Sequence, residues 1–208
     1  LFIAPDRFFH YFWQFLDESH PFTKSLEKSH IEKYQNACPD LFKKLDFCLG
    51  ELIDEFNPPD NDLNTLVMSD HGFDSVHKWV HLNKWLSKHG YLVFKDSNDW
   101  DKIDNETLVS DLDYIYGKVD WSKTTAYCLG KRGAIYFNIK DREPNGIVET
   151  KDIPSLFNKL KKDLVEKLSD DLTGESIYKS FELSKNLFEG EFVSEAPDAF
   201  LEMERYYF

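Results

Sequence analysis

Apolar positions along this chain of 208 residues change their spacing from block to block, and the changes mark the elements. Leu1-Phe2-Ile3-Ala4 is a short continuous apolar run stopped by Pro5-Asp6, the pattern of a buried strand. Over residues 7–16 the rings and aliphatics Phe8, Phe9, Tyr11, Phe12, Trp13, Phe15 and Leu16 are too dense for a one-sided surface helix. They predict a helix covered on most sides, ended by Asp17-Glu18-Ser19-His20-Pro21. Next, Ile31, Tyr34, Cys38, Leu41, Leu45, Cys48, Leu52 and Phe56 alternate steps of three and four, which places them on one face of a long helix. Pro39 predicts a kink or a division there, because it removes a backbone donor and clashes with the preceding turn. Asn57-Pro58-Pro59-Asp60 closes the helix. Thr65-Leu66-Val67-Met68 is a short β-type run with Ser69-Asp70-His71-Gly72 at its end. Helix and strand alternating in this way favour a largely parallel sheet.

The second half is less regular. Residues 82–89 have a helical pattern stopped by Gly90. Residues 124–129 and 134–139 predict two strands of a hairpin around Gly130-Lys131-Arg132-Gly133. Ile153, Leu156, Phe157, Leu160, Leu164 and Leu168 recur at helical spacing, and residues 176–183 and 198–206 are strand-like. No internal repeat or low-complexity tract is present.

Composition narrows the classes. Hydrophobic residues at 41% and aromatics at 16% exclude a disordered chain, and the length suffices to bury a core without disulfide or metal staples. A net charge of −13 argues against nucleic-acid polymers and anionic lipid surfaces, which bind basic faces. An anionic substrate needs a local positive charge, such as a metal. No apolar run approaches the roughly 20 residues that span a bilayer. Three scattered cysteines, Cys38, Cys48 and Cys128, with no CxxC spacing, are no disulfide framework and point to a reducing, cytoplasmic compartment. Cys38 and Cys48 fall on the apolar helix positions and read as small buried hydrophobes. The chain opens on Leu with no signal peptide, and Leu1 stands in a strand already under way, the pattern of a fragment.

Two short segments carry candidate chemistry. In Asp6-Arg7-Phe8-Phe9-His10 a carboxylate and an imidazole lie four residues apart; if a helix starts there, both point to the same space one turn apart. In Ser69-Asp70-His71-Gly72 a turn lets neighbouring side chains converge, with Gly72 tolerating a tight backbone. Ligands bind at the carboxyl ends of strands in parallel α/β sheets, and Asp plus His, twice, is a ligand set suited to zinc or a similar divalent ion.

Pro5-Asp6-Arg7-Phe8-Phe9-His10, Trp13-Gln14-Phe15-Leu16-Asp17, His20-Pro21 and Ser69-Asp70-His71-Gly72-Phe73 resemble the alkaline phosphatase superfamily. Within it, the type I phosphodiesterase/nucleotide pyrophosphatase group is the nearest branch. The resemblance continues through Leu82-Asn83-Lys84-Trp85-Leu86, Gly90-Tyr91-Leu92, Asp120-Trp121-Ser122-Lys123-Thr124 and Tyr136-Phe137-Asn138. It ends with Arg142-Glu143-Pro144-Asn145-Gly146-Ile147-Val148 and Ala196-Pro197-Asp198. It implies an α/β fold, a three-layer sandwich around a largely parallel sheet with an α+β cap insertion. Residues 1–83 would be catalytic core, 84–190 cap, and 191–208 a return to the core sheet. It also implies two divalent metal ions about 4 Å apart, zinc with manganese as the second choice, one bound by Asp6 and His10 and the other by Asp70 and His71. The implied reaction is attack on a small phosphate ester or nucleotide by a metal-activated Thr or Ser. The family pattern places that nucleophile and a further Asp ahead of Leu1, and a last metal-binding His beyond Asp198. Two ligands per metal predict weak metal occupancy and no turnover by this piece alone. Sulfatases and phosphomutases share the metal motifs, and a catalytically silent core or binding module of the same fold is the alternative to an enzyme.

Other polar residues have competing readings. His77 and His81, four apart, offer two imidazoles on a helix face or, more economically, a loop leading into the helix after His81. His20 and Asp17 suit helix-end capping. Arg7 is placed either to meet a substrate phosphate or to form a core salt bridge. Tyr114, Tyr116, Trp121 and Tyr127 are placed either to stack on a flat group or to pack.

Overall fold

Proline sets the first helix boundaries. The computed structural model describes residues 2–56, 64–96, 117–130 and 133–208, and in it helix α1 runs over Ala4–Phe12 with Pro5 in the first turn. The strand expected over residues 1–5 therefore gives way to a helix start. Pro5 suits that start, since first-turn N–H groups have no intrahelical partner, and Asp6 complements the helix dipole. Helix α2 (Lys28–Tyr34) and helix α3 (Ala37–Phe56) follow. Pro39 divides them as expected: its ring would meet the carbonyl of Gln35, four residues back. The break falls at residues 35–36, with the Asp40 N–H bonded to Asn36 O at 3.0 Å.

These helices belong to the first of two compact units, Leu1–His77 and Lys78–Phe208. Rings hold this unit. Phe9 lies 5.2 Å from Trp13, 5.4 Å from Phe73 and 6.0 Å from Phe42, and Tyr34 sits 5.4 Å from Phe12 and 5.1 Å from Phe15. No residue of α1, α2 or α3 is fully buried, and Tyr11 is 73% exposed, so α1 is one-sided and not covered all round. The half-buried line of α3 follows Cys38, Leu41 and Leu45 as predicted and then runs to Leu49 and Ile53. Cys48, Leu52 and Phe56 are exposed, against the expectation that they share the buried face.

Residues 64–77 are irregular, and the strand expected at 65–68 has no ladder partner. Leu66, Val67 and Met68 are 81%, 74% and 80% exposed. A parallel strand exists only by pairing with a neighbour, and the described residues of this unit contain no strand.

In the second unit the residues form helix α4 (Leu82–Lys88), strand β1 (Ala126–Cys128), strand β2 (Ala134–Phe137) and helix α5 (Ile153–Lys167). Strand β3 (Tyr178–Leu183), helix α6 (Ser184–Leu187) and strand β4 (Ala199–Met203) complete it. The sheet order is β1-β2-β4-β3 and every pairing is antiparallel. This corrects the expected sheet type: the class is mixed α/β, but the described sheet is small and antiparallel. β1 and β2 form the predicted hairpin in the register Ala126↔Phe137 to Cys128↔Ile135. Residues 198–206, expected to be strand-like, supply β4, an inner strand between β2 and β3. The predicted face of α5 is buried, with Leu160 and Leu164 fully so, and Phe157 stacks on Phe181 at 4.9 Å.

Two polar clamps account for motif residues. The Asn83 side chain donates to Cys128 O at 2.9 Å and accepts from Cys128 N at 2.7 Å, tying α4 to β1. Arg142 donates to both carboxylate oxygens of Asp198 at 2.7 and 2.8 Å and to Phe137 O at 2.7 Å, while Asp198 accepts from Phe137 N at 2.7 Å. Gly146 closes the turn between them: a Cβ there would lie 2.0 Å from Ile139 O, so only glycine fits. Among the described residues no helix is long and apolar enough to cross a membrane.

Candidate metal centre

Asp6 and His10 stand one turn apart on α1, with Asp6 Oδ1 3.6 Å from His10 Nε2. Asp70 and His71 come from the irregular stretch that follows Met68. His71 Nε2 lies 3.9 Å from Asp6 Oδ1 and 3.7 Å from Asp70 Oδ2. The structure thus draws together the two couples separated by some sixty residues of chain. Their anchor is Phe73, which the sequence reading left without a role. Its ring meets His10 edge-on at 5.1 Å and also contacts Phe9 and Trp13, holding the Asp70-His71 loop against α1. A bulky apolar residue directly after a polar motif and its glycine was the available signal.

The ring of His71 has a defined tautomer. Its Nδ1 lies 2.9 Å from Gly72 O, and a carbonyl only accepts, so Nδ1 carries the proton and donates. Nε2 faces two carboxylates at 3.7 and 3.9 Å, and in the neutral ring it carries the lone pair. Both separations are beyond hydrogen-bond length. Ligand atoms about 2.1 Å from a tetrahedral zinc stand roughly 3.4 Å from each other, and the His71 contacts at 3.7 and 3.9 Å are wider than that. As the side chains stand, no group of three or more His, Cys, Asp or Glu among the described residues is placed to hold a metal ion. The cluster is also open to solvent, with side-chain exposures of 42% for Asp6, 64% for His10, 91% for Asp70 and 54% for His71. Ion pairing alone is weak at such exposure. Gly72 has an ordinary backbone and open space at its Cβ, so the loop does not require glycine.

The other candidates separate cleanly. Arg7 is exposed and forms no ion pair with a described residue, so the core salt bridge is not formed. His20 and His77 rings lie 6.3 Å apart. Phe22 N donates to His20 Nδ1 at 3.2 Å, and burial first, then His77, push the His20 pKa down against the pull of Asp17. Asp17 accepts from the Ser19 backbone and hydroxyl at 2.9 and 2.6 Å and from Ser75 Oγ. Residues 77–81 are not helical and α4 begins at Leu82, so His77 and His81 do not share a helix face and the loop reading applies. Burial pushes the Cys128 thiol up to about 12, as befits a small core residue. Trp121 and Tyr127 pack edge to face at 5.1 Å. Tyr114 and Tyr116 lie outside the described residues.

A family model described as type I phosphodiesterase / nucleotide pyrophosphatase matches residues 1–207. Neither a curated protein nor a solved structure matches the chain.

Proposed function

The chain belongs to the type I phosphodiesterase / nucleotide pyrophosphatase family, a family of phosphate-ester hydrolases, and from that premise we propose that it is part of a metal-dependent phosphodiesterase or pyrophosphatase. Asp6 and His10 would hold one divalent ion and Asp70 and His71 a second, zinc first and manganese next. When bound, such a pair supplies Lewis acidity toward phosphoryl oxygens and lowers the pKa of a hydroxyl or water nucleophile.

The protein's own contribution is orientation. The Gly72 carbonyl holds the His71 Nδ1 proton, which directs the Nε2 lone pair at the site and raises its donor strength. One turn of α1 presents Asp6 and His10 to the same point. Phe73 fixes their distance from the loop. The substrate class is a small phosphate ester or nucleotide, anionic and therefore matched to a site whose positive charge comes from cations. The Thr or Ser nucleophile that the resemblance implies is not assigned to any residue here. The single observation that carries this reading is His71 Nε2 standing 3.9 Å from Asp6 and 3.7 Å from Asp70. A second reading, a catalytically silent module of the same fold, draws on the exposure of Asp70 and on the width of these contacts.

The test is hydrolysis of bis-p-nitrophenyl phosphate by the full-length gene product after chelation, with Zn²⁺ or Mn²⁺ restored. Metal-dependent release that falls at least a hundredfold in Asp70→Ala and in His71→Ala is the expected result. No metal-dependent release, with no loss in Asp70→Ala, would favour the silent module.

A further inference from the structure

Residues Trp121, Tyr127, Asn138, Glu143, Pro144 and Asn145 line a cleft of about 140 Å³ in the second unit. Asn138 is only 1% exposed. Its Nδ2 donates to the carbonyl oxygens of Trp121, Thr124 and Asn145 at 2.8, 2.9 and 3.3 Å. Carbonyls only accept, so these three neighbours establish which end of the amide is nitrogen. The oxygen at the other end, Oδ1, is buried and has no hydrogen-bond partner. A native fold rarely leaves a buried acceptor unmatched, and each such group calls for an explanation.

Glu143 adds a second, partly exposed acceptor. Its Oε1 accepts from Tyr127 Oη at 3.2 Å and from Arg142 Nε at 3.1 Å, while Oε2 accepts from no described residue. Arg142 is shared with Asp198, so one guanidinium faces two carboxylates and the surroundings stay negative. The cleft therefore combines one buried unmatched acceptor, a partly exposed carboxylate, a net negative charge and two aromatic rings in edge-to-face contact.

We propose that this cleft binds a small planar organic cation with N–H donors, of the guanidinium class. Such a group satisfies Asn138 Oδ1 and Glu143 Oε2 together, gains charge-assisted hydrogen bonds to the carboxylate and lies against aromatic side chains that favour cations. The volume equals roughly four to five waters, enough for a guanidinium with a short alkyl arm. The site is independent of the metal reading and survives its failure.

The test titrates the purified chain with methylguanidinium, urea and tetramethylammonium at fixed ionic strength, read by calorimetry and tryptophan fluorescence. Saturable methylguanidinium binding, at least tenfold tighter than urea or tetramethylammonium and weakened at least tenfold by Glu143→Gln, is expected. Trp121→Phe retains the backbone carbonyl that Asn138 uses and should weaken binding severalfold; it decides the matter should Glu143→Gln misfold by circular dichroism. No preference for methylguanidinium over urea, or an affinity untouched by both substitutions, overturns the proposal. So does a crystal structure at high ligand concentration with only water on Asn138 Oδ1.

Discussion

His71 shows how a single proton position shapes a site. Because Nδ1 donates to Gly72 O, the Nε2 edge of the ring is turned to Asp6 and Asp70, at 3.9 and 3.7 Å. Two other imidazoles bear on stability. His20 is held below its usual pKa by burial first and by His77 next, and His81 by burial and then Lys84. Each binds fewer protons folded than unfolded at mildly acid pH, so the folded state is favoured while both stay neutral. That contribution is complete above the unfolded value of about 6.5 and is lost as pH falls through the lower folded values. The melting temperature should drop between about pH 7 and about pH 5, and a double variant, His20→Gln with His81→Gln, should flatten that slope in a thermal scan. An unchanged slope would mean that the acid sensitivity comes from other groups.

Elements differ in what covers them. Helix α5 presents Phe157, Leu160 and Leu164 to the sheet, where Leu160 and Leu164 are wholly buried. Removing such a side chain loses its transfer energy and leaves a cavity, so Leu160→Ala should cost about 2–5 kcal/mol in urea denaturation. Val165 on the same helix is 51% exposed, and Val165→Ala should cost well under 1 kcal/mol. Equal losses at the two positions would contradict the burial of this face. Helix α3 has no buried residue, although its sequence has nearly as clear a period. A helical period reports that a stripe exists; the depth of its burial depends on what the rest of the chain lays against it.

At the scale of the molecule, the two units have unlike cores. Lys78–Phe208 centres on Leu86, Tyr91, Phe137, Leu160, Leu164 and Phe181, all essentially inaccessible. It also holds a buried carboxylate, Asp170, which accepts from Lys78, from Tyr207 at 2.8 Å and from the backbone N–H groups of Leu172 and Thr173. Leu1–His77 relies instead on half-covered rings. Opening free energies follow buried contacts, so the slowest-exchanging amides should fall in β2, β4 and α5. Those of α1, α2 and α3 should exchange faster by at least tenfold in hydrogen exchange read by mass spectrometry. Protection of α3 equal to that of α5 would refute the contrast.

The sequence by itself determined the helix over residues 153–167, the β1–β2 hairpin and the division at Pro39, because each rests on spacing within a few residues. It did not determine that residues 65–68 would go unpaired, that the described sheet would be antiparallel, or that β4 would lie inside it. Those outcomes depend on partners distant in the chain, and an apolar run carries no label for the strand it will meet. The approach of His71 to Asp6 was legible as two motifs, yet the geometry came from Phe73 docking among the rings of α1. Tertiary structure alone decided the Asn138 cleft, since a lone asparagine in a strand-like run reveals nothing of the three carbonyls that turn its oxygen outward from every donor.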